Sequence, residues 1–442
     1  MQFFTNLKKK LAKSYSGKVS AHLLDGCLYL IGELDNWDDI VNAGLMSVNK
    51  KKYTVVNNIV YKDIPEDVYS ESNLPDHLYR KWSKADRPSL SSNLLQNESP
   101  DVLVIGGGVI GCAIARELKK YDVDVILLEM NHDIAANTSW RNDGIILPGL
   151  DFDNNLLKKR YADKGYRMYQ SICNELDVLY ENSGQYLCFT NEKMKPYAIL
   201  SMLYWKQKGI PVQYISHKKI DKNASNLSDR IKFALFFPTA GIVSPYDLTL
   251  AYAENAACNN VNICLNTSIN DIIVCNNKIE SVFTNHGRIF PKLVVNAAGF
   301  FAEEIAHLAN DRFFSIYPRL INNMVIDKKE IFLFNSISSQ NASAEMPHIC
   351  ASSYEDDFIV SFGKSTGNII HAAGIQSSGL TAAPAIAEDV AEMAANYLNA
   401  GMNKDFNPVS KALFRDTDQH WLNLPSRFSG YPSALNLASG IW

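Results

Sequence analysis

No CxxC pair occurs among the eight cysteines of this 442-residue sequence, which are scattered at positions 27, 112, 173, 188, 258, 264, 275 and 350. That spacing argues against a zinc or iron–sulfur site and fits reduced thiols. No apolar run reaches the ~20 residues needed to cross a bilayer, so no transmembrane segment is expected. The charge balance has no strong sign: the net charge is −4 and 20% of residues are charged. Nothing in that balance calls for nucleic acid or an anionic membrane as partner. The N-terminus, MQFFTNLKKKLAKSYSGK, has a basic cluster with no long apolar core after it, so no signal peptide is expected and a cytoplasmic location is the expectation. What is present is an ordinary hydrophobic content, 47%, on a chain with room for two or three domains.

Residues 19–34, VSAHLLDGCLYLIGEL, alternate apolar and polar around Asp25-Gly26, which suits a hairpin turn. Asp35 or Asn36 can cap a helix with apolar positions Trp37, Ile40, Val41, Leu45 and Val48, and a third strand follows in YTVVNNIVYK, 53–62. This β-β-α-β unit, residues 15–62, resembles a BON domain, whose sequences end in a VVN-I strand. A small α+β appendage of no particular type is the equal alternative. Either way the unit is a candidate surface for a protein partner. Residues 63–99 are rich in Pro, Ser, Asn and charge and read as a linker, with one short helix expected at 76–84.

A glycine-rich turn follows. Val102–Ile105 form a short apolar strand, then come Gly106, Gly108 and Gly111 in GxGxxG spacing, a helix with apolar Val109, Ile110, Ala113, Ile114 and Leu118, and a second strand, 123–128, ending at Glu129. Gly106 makes the tight turn, Gly108 lets backbone approach a pyrophosphate, and Gly111 lets the helix pack closely on the strand. The helix N-terminus stabilises phosphate charge, and Glu129 can accept hydrogen bonds from ribose hydroxyls. The acid stands eighteen residues after Gly111, as a dinucleotide site requires. By itself the turn does not separate NAD from FAD.

Three later stretches do. They are GIVSPYDLTLAYAENAA (241–257), with Asp247 opening an apolar helix; LVVNAAGFFAEEIA (293–306), a strand running through Gly299 into a helix; and IIHAAGIQSSGLTAAPAIAEDVAEMAANYL (369–398). In the last, a small-residue loop, Gly374–Thr381, feeds a long helix and can offer backbone N–H groups to a flavin. With NTSWRNDGI (137–145) and YPR (317–319), these stretches resemble FAD-dependent oxidoreductases of the D-amino-acid-oxidase superfamily, closest to the bacterial glycerol-3-phosphate dehydrogenase branch. The resemblance implies an α/β fold with a glutathione-reductase-like FAD-binding lobe (101–145, 235–306, 365–398) and an α+β substrate lobe (146–234, 307–364), followed by a tail, 401–442. It implies FAD as cofactor. Gly106, Gly108, Ile110, Gly111 and Glu129 would hold its ADP half, and Thr138 and Ser139 would lie near the pyrophosphate and flavin. Ile269 would contact the adenine end, and Gly299, Gly374, Gly379, Leu380 and Thr381 would complete the cofactor site. The implied chemistry is hydride transfer from a small hydroxy substrate, such as glycerol-3-phosphate, to the flavin, with an electron acceptor that the sequence does not identify.

The chain departs from that branch in three places. Leu147 stands where the branch carries a histidine, and leucine cannot move a proton. Cys350 stands where a substrate-binding arginine is expected, and a thiol does not replace a permanent cation. Only some thirty-odd residues separate Arg319 from Asp356, so the substrate lobe is expected to be shortened. Arg319 matches the branch and is the expected substrate cation, although a surface ion pair is the commoner fate of an arginine. His371 is the alternative candidate base, although a histidine on an apolar strand is more often a satisfied core residue. Three functions stay open on this reading: a glycerol-3-phosphate dehydrogenase-like enzyme with lowered or lost activity, an amine or 2-hydroxy-acid oxidoreductase of the same fold, and a non-catalytic flavin-binding or interaction protein.

Overall fold

The computed structural model describes residues 2–49, 52–61, 91–146, 156–182, 184–217, 219, 231–325, 344–376 and 378–410. At the N-terminus, α1 (Gln2–Ser14) precedes β1 (Val19–Leu24), β2 (Cys27–Leu34), α2 (Trp37–Met46) and β3 (Thr54–Tyr61). β1 and β2 form the expected hairpin, with Asp25 and Gly26 both at positive φ, and β3 joins β2 in parallel. Asn36 caps α2 by accepting from the backbone of Asp38 and Asp39. Helix α1 extends the unit beyond the expected start at residue 15. Its Leu7 and Leu11 are buried with Leu28, Leu30, Ile40 and Val55, so this turn-spaced pair belongs to the module core.

The next elements are β4 (Val102–Ile105), α3 (Val109–Leu118), β5 (Val125–Leu128), β6 (Ile145–Ile146), α4 (Leu157–Glu175), β7 (Tyr180–Glu181), β8 (Gln185–Phe189), α5 (Lys195–Gln207), β9 (Gln213–Ser216), β10 (Phe233–Phe237) and β11 (Gly241–Val243). They are followed by α6 (Pro245–Cys258), β12 (Asn262–Cys264), β13 (Ile269–Cys275), β14 (Lys278–Thr284), β15 (Gly287–Ile289), β16 (Leu293–Asn296) and α7 (Ala302–Leu308). The last are β17 (Ile316–Val325), β18 (Ala344–Ser353), β19 (Ile359–Phe362), β20 (Ile369–Ala373) and α8 (Gly379–Leu398).

A six-stranded sheet in the order β12-β5-β4-β16-β20-β19 forms the centre, parallel except for β19. Its inner strands are apolar on both faces because both are covered. Val102, Val104, Val125, Leu127 and Val295 face a core shared with α3, α6 and α8, whereas Leu103, Ile105, Ile126, Leu128 and Val294 face one shared with β13–β15. This three-layer arrangement places the carboxyl ends of β4 and β16 at one edge, where an open α/β sheet presents its ligands. The second lobe has a three-stranded sheet, β8-β10-β9, under α5, and a long two-stranded ribbon, β17–β18.

The N-terminal module was expected at the end of a tether, yet it is docked on the rest of the chain. Along β3, Thr54 Oγ1 donates to the Phe313 carbonyl at 2.7 Å and Val55 N to Glu355 Oε1 at 2.6 Å. Asn57 N donates to Ser315 Oγ, and its side-chain amide donates to Tyr354 OH, both at 2.9 Å. Arg312, paired with Glu303, reaches back to the Asn57 carbonyl at 3.1 Å. Cys27 and Val56 share a core with Phe313, Phe314 and Ala373. A Cβ on Gly44 would sit 2.1 Å from the Tyr354 ring, so that glycine permits the closest approach of α2. The expected linker also ends early. Residues 91–99 lie on the β14–β15 hairpin, with Leu95 buried and its N–H donating to the His286 carbonyl. The expected helix at 76–84 and the tail beyond 410 fall outside the described residues. Residues 401–410 are fastened by the fully buried Arg116, which donates to the Pro408 carbonyl while paired with Glu117 and Glu175.

Candidate functional site

The glycine turn joins β4 to α3 at the sheet edge. Gly106, at φ +110°, could not carry a side chain, since a Cβ would lie 2.5 Å from the Ala297 carbonyl oxygen. A Cβ on Gly111 would lie 1.9 Å from the Gly106 carbonyl oxygen, so α3 rests on the turn itself. Gly108 is different: a Cβ there would meet only the Ser139 hydroxyl, at 3.1 Å. The protein therefore demands glycine at 106 and 111 for its own packing, and leaves the space before Gly108 open. Ser139, assigned to the site from sequence, stands at this helix start, its Oγ accepting from Val109 N at 3.0 Å. Thr138 is its neighbour, and Ile110 is half-buried on the first turn of α3.

Glu129 ends β5 beside the turn. Its carboxylate accepts from Gly107 N at 2.7 Å and from the backbone and side chain of Asn131 at 2.8 and 2.6 Å. Burial holds its pKa above the ordinary carboxylate value, opposed by those hydrogen bonds. The Glu129 carbonyl accepts from Thr267 N, which brings the chain leading to Ile269 alongside. Ser268, next to Ile269, has a buried hydroxyl with no partner. Thus Glu129, Ser268 and Ile269 gather at one end of the turn.

At the other end lies the loop before α8. Gly374, at φ +62°, approaches β18, a Cβ there falling 3.2 Å from Ser353 Cβ. Ser378 caps α8 in a left-handed conformation, and Leu380 and Thr381 are buried in its first turn, the Leu380 carbonyl accepting from Tyr169 OH. Gln376 was not singled out from sequence. Its amide nitrogen donates to Asp356 at 2.6 Å, which turns the buried amide oxygen away with no partner. The hydroxyls of Ser352 and Ser378 are likewise buried and unpartnered. Three unsatisfied polar atoms on neighbouring segments are costly unless a ligand meets them. Gly299, at φ +56°, has nothing within 4 Å of a would-be Cβ, so it too borders open space.

His371 sits apart from this edge. It is fully buried on β20, between Phe313 and Phe314, with Nε2 2.8 Å from Asp311 and Nδ1 3.1 Å from the Asn296 amide. Asn296 also donates to the Ala302 carbonyl and accepts from Ala298 N, which fixes its amide orientation. Nδ1 is therefore the acceptor and Nε2–H the donor, and neither nitrogen is free for a substrate. The geometry is that of the satisfied core histidine rather than of a base.

Arg319 is exposed on β17 and directly opposes Cys350 in the ribbon register. Cys350 is buried, and desolvation raises its pKa to about 11, partly offset by Arg319, with the Asp143 charge adding to the rise. The thiol is thus neutral at physiological pH. Asp143, another residue not singled out from sequence, belongs to the same electrostatic neighbourhood. Asp356 and Asp357 tie the site to α4: Asp357 accepts from Leu157 N and Lys158 N, and Asp356 pairs with Lys158. Leu147 lies outside the described residues. Among those residues no cluster of metal-ligating side chains occurs.

Residues 101–349 match the family model of the DAO FAD-dependent oxidoreductases. The chain belongs to this family. It is 31% identical over 376 residues to the glycerol 3-phosphate dehydrogenase of Caloramator mitchellensis, covering 71% of this chain and 78% of that protein. The glycerol 3-phosphate oxidase of Mycoplasma pneumoniae is 29% identical over 229 residues, 48% of this chain and 57% of that one. Among solved structures, the FAD-bound L-alpha-glycerophosphate oxidase of the same organism superposes with a TM-score of 0.64 at 22% identity, covering 71% of this chain and 98% of its own. Glycine oxidase from Geobacillus kaustophilus gives 0.61 at 19%, covering 70% and 97%. The family cofactor is FAD, and the residues present fit it: an open approach at Gly108, an acid and an unpartnered hydroxyl at one end, and unpartnered Gln376, Ser352 and Ser378 at the other.

Proposed function

We propose that this oxidoreductase takes hydride from a small hydroxy substrate and that its turnover of glycerol-3-phosphate itself is weak or lost. When bound, FAD supplies the hydride acceptor. Gly106, Gly108, Gly111 and Ser139 would border its pyrophosphate, Glu129 its ribose, and the Gly374–Thr381 loop with Gln376 its ring. The observation that carries the reading is Cys350. Across the ribbon from Arg319, where the resemblance calls for a second guanidinium, there is a neutral thiol. Arg319 would then face a dianionic phosphate without a guanidinium at position 350 and with the negative charge of Asp143 nearby. A charge-assisted hydrogen bond contributes about 1.5–3 kcal/mol, so losing one lowers transition-state binding about ten- to a hundredfold. His371 does not offer a base, which is consistent with further loss.

A second reading has a specific support. One arginine fork matches one carboxylate, and relatives named as L-2-hydroxyglutarate dehydrogenase and glycine oxidase act on carboxylates. Anaerobic reduction of the bound flavin, followed by its absorbance, tests both. Slow or absent bleaching by glycerol-3-phosphate, improved in Cys350→Arg, supports the first. Fast bleaching by glycerol-3-phosphate in the wild type defeats it, and fast bleaching by a 2-hydroxy acid selects the second.

A further inference from the structure

The turn between β18 and β19 serves two neighbours at once. Tyr354 and Glu355 meet the N-terminal module, whereas the next two residues, Asp356 and Asp357, meet the loop before α8 and the start of α4. On the module side, the Tyr354 ring is buried in the module core and stacks on Tyr317 at 4.9 Å. Its hydroxyl accepts from the Asn57 amide, whose other polar groups are taken by the Ile40 carbonyl and Ile59 N–H, so that amide cannot turn away. Glu355 accepts from Val55 N at 2.6 Å. On the other side, Asp356 Oδ1 accepts from the Gln376 amide nitrogen at 2.6 Å, and its Oδ2 pairs with Lys158 of α4 at 2.8 Å. The Asp357 carbonyl oxygen lies 3.3 Å from where a Cβ on Gly374 would stand. The turn is closed on itself. Ser353 Oγ donates to the Asp357 carbonyl at 2.7 Å, Asp357 N donates back to that hydroxyl at 3.2 Å, and Asp356 N donates to the Ser353 carbonyl at 3.1 Å.

We infer that the docked module positions the cofactor site, with Glu355 as the positioning residue. By holding Tyr354 and Glu355, the module fixes Asp356, and Asp356 fixes the Gln376 amide. The inference rests on the reading that the Gly374–Thr381 loop meets the flavin. Two observations favour coupling over mere support of the fold. The path is short, because Glu355 and Asp356 are adjacent in a closed turn that cannot shift on one side alone. And among the described residues, Asp356 is the one hydrogen-bond partner of the Gln376 side chain, so nothing else there keeps the buried amide oxygen aimed away, ready for an N–H of the cofactor.

The test is a double-mutant cycle on the full-length protein: Glu355→Ala, Gln376→Met and the two combined. Each apoprotein is titrated with FAD by flavin fluorescence and melted in parallel. Glu355→Ala leaves the Val55 N–H without its acceptor, and Gln376→Met keeps the side-chain length while deleting the amide. Each single variant is expected to weaken FAD binding about three- to tenfold, the effect of one ordinary hydrogen bond, and to shift the absorbance of the bound flavin in the same direction. In the double variant, Glu355→Ala should cost no further affinity, although it still lowers the melting temperature. Glu355→Gln, which keeps an acceptor oxygen, should restore affinity. If Glu355→Ala does not fold, Tyr354→Phe takes its place in the cycle, since it removes only the hydroxyl that accepts from Asn57. Losses that multiply in the double variant, or wild-type FAD affinity in the module-side variant, overturn the inference, because the module would then support the fold without setting the loop. Wild-type FAD affinity in Gln376→Met defeats instead the placement of the loop against the flavin, and the inference with it.

Discussion

Alanine at Gly108 and alanine at Gly111 should damage the protein in opposite ways, although both glycines belong to one motif. A methyl at 108 meets only the Ser139 hydroxyl at 3.1 Å, which can shift a few tenths of an ångström. Gly108 has φ −77° and ψ 177°, a backbone state open to any residue, so the fold loses at most about 1 kcal/mol, chiefly as a poorer helix cap. The cofactor cannot give way as cheaply. The methyl fills the space through which a pyrophosphate would reach the backbone, and losing one charge-assisted hydrogen bond there costs about 1.5–3 kcal/mol, or roughly ten- to a hundredfold in Kd. At 111 a methyl would lie 1.9 Å from the Gly106 carbonyl oxygen and 3.6 Å from Ala297 Cβ, so α3 must lift off β4. Overpacking of this kind costs about 1–3 kcal/mol of stability. Apoprotein titrated with FAD by flavin fluorescence, alongside thermal melts, separates the two. Gly108→Ala with wild-type FAD affinity would refute the reasoning, as would a melting temperature lowered as far as that of Gly111→Ala.

Glu129 and Gly44 supply two further tests. Burial raises the Glu129 pKa above its ordinary value of 4.5 in the folded apoprotein, so its stabilising contribution is present below that value and is lost as pH rises through the folded pKa; the wild-type apoprotein should therefore lose melting temperature relative to Glu129→Gln as pH rises from acid to neutral, while Glu129→Gln, whose amide nitrogen must face the N–H of Gly107 or of Asn131, should bind FAD more weakly, and a melting difference that is flat or opposite in pH would contradict this. Gly44→Ala drives a methyl into the Tyr354 ring and should lower the melting temperature through overpacking of about 1–3 kcal/mol, whereas an unchanged melt would mean that the docked contact is not formed.

Much of the glycine-turn edge was readable from local chemistry. Gly106, Gly111 and Glu129 lie where the spacing places them because a strand–turn–helix needs no distant partner to define it. Ser139 was reached through its resemblance alone, and the structure supplies the reason, a hydroxyl accepting from the first turn of α3. Gln376 was invisible, because what marks it is an amide fixed by Asp356, twenty residues earlier, with its oxygen left unsatisfied. His371 shows the converse. Its apolar strand suggested a core role, but only Asp311, in the segment after α7, and Asn296, on β16, account for both nitrogens. Helix α1 was legible in principle through Leu7 and Leu11 and was obscured by the lysines between them. Docking of the module was not legible, since the β3 donors find acceptors some 250 to 300 residues away.

That docking changes what continuity of the chain is for. The module meets residues 312–317 and 354–355 through backbone donors, a buried ring and a shared apolar core. The covalent link between residues 61 and 91 raises the local concentration of two surfaces that already fit. Severing the chain there should therefore yield two fragments that remain a pair. By that measure, the gene encodes a subunit and its enzyme in a single reading frame.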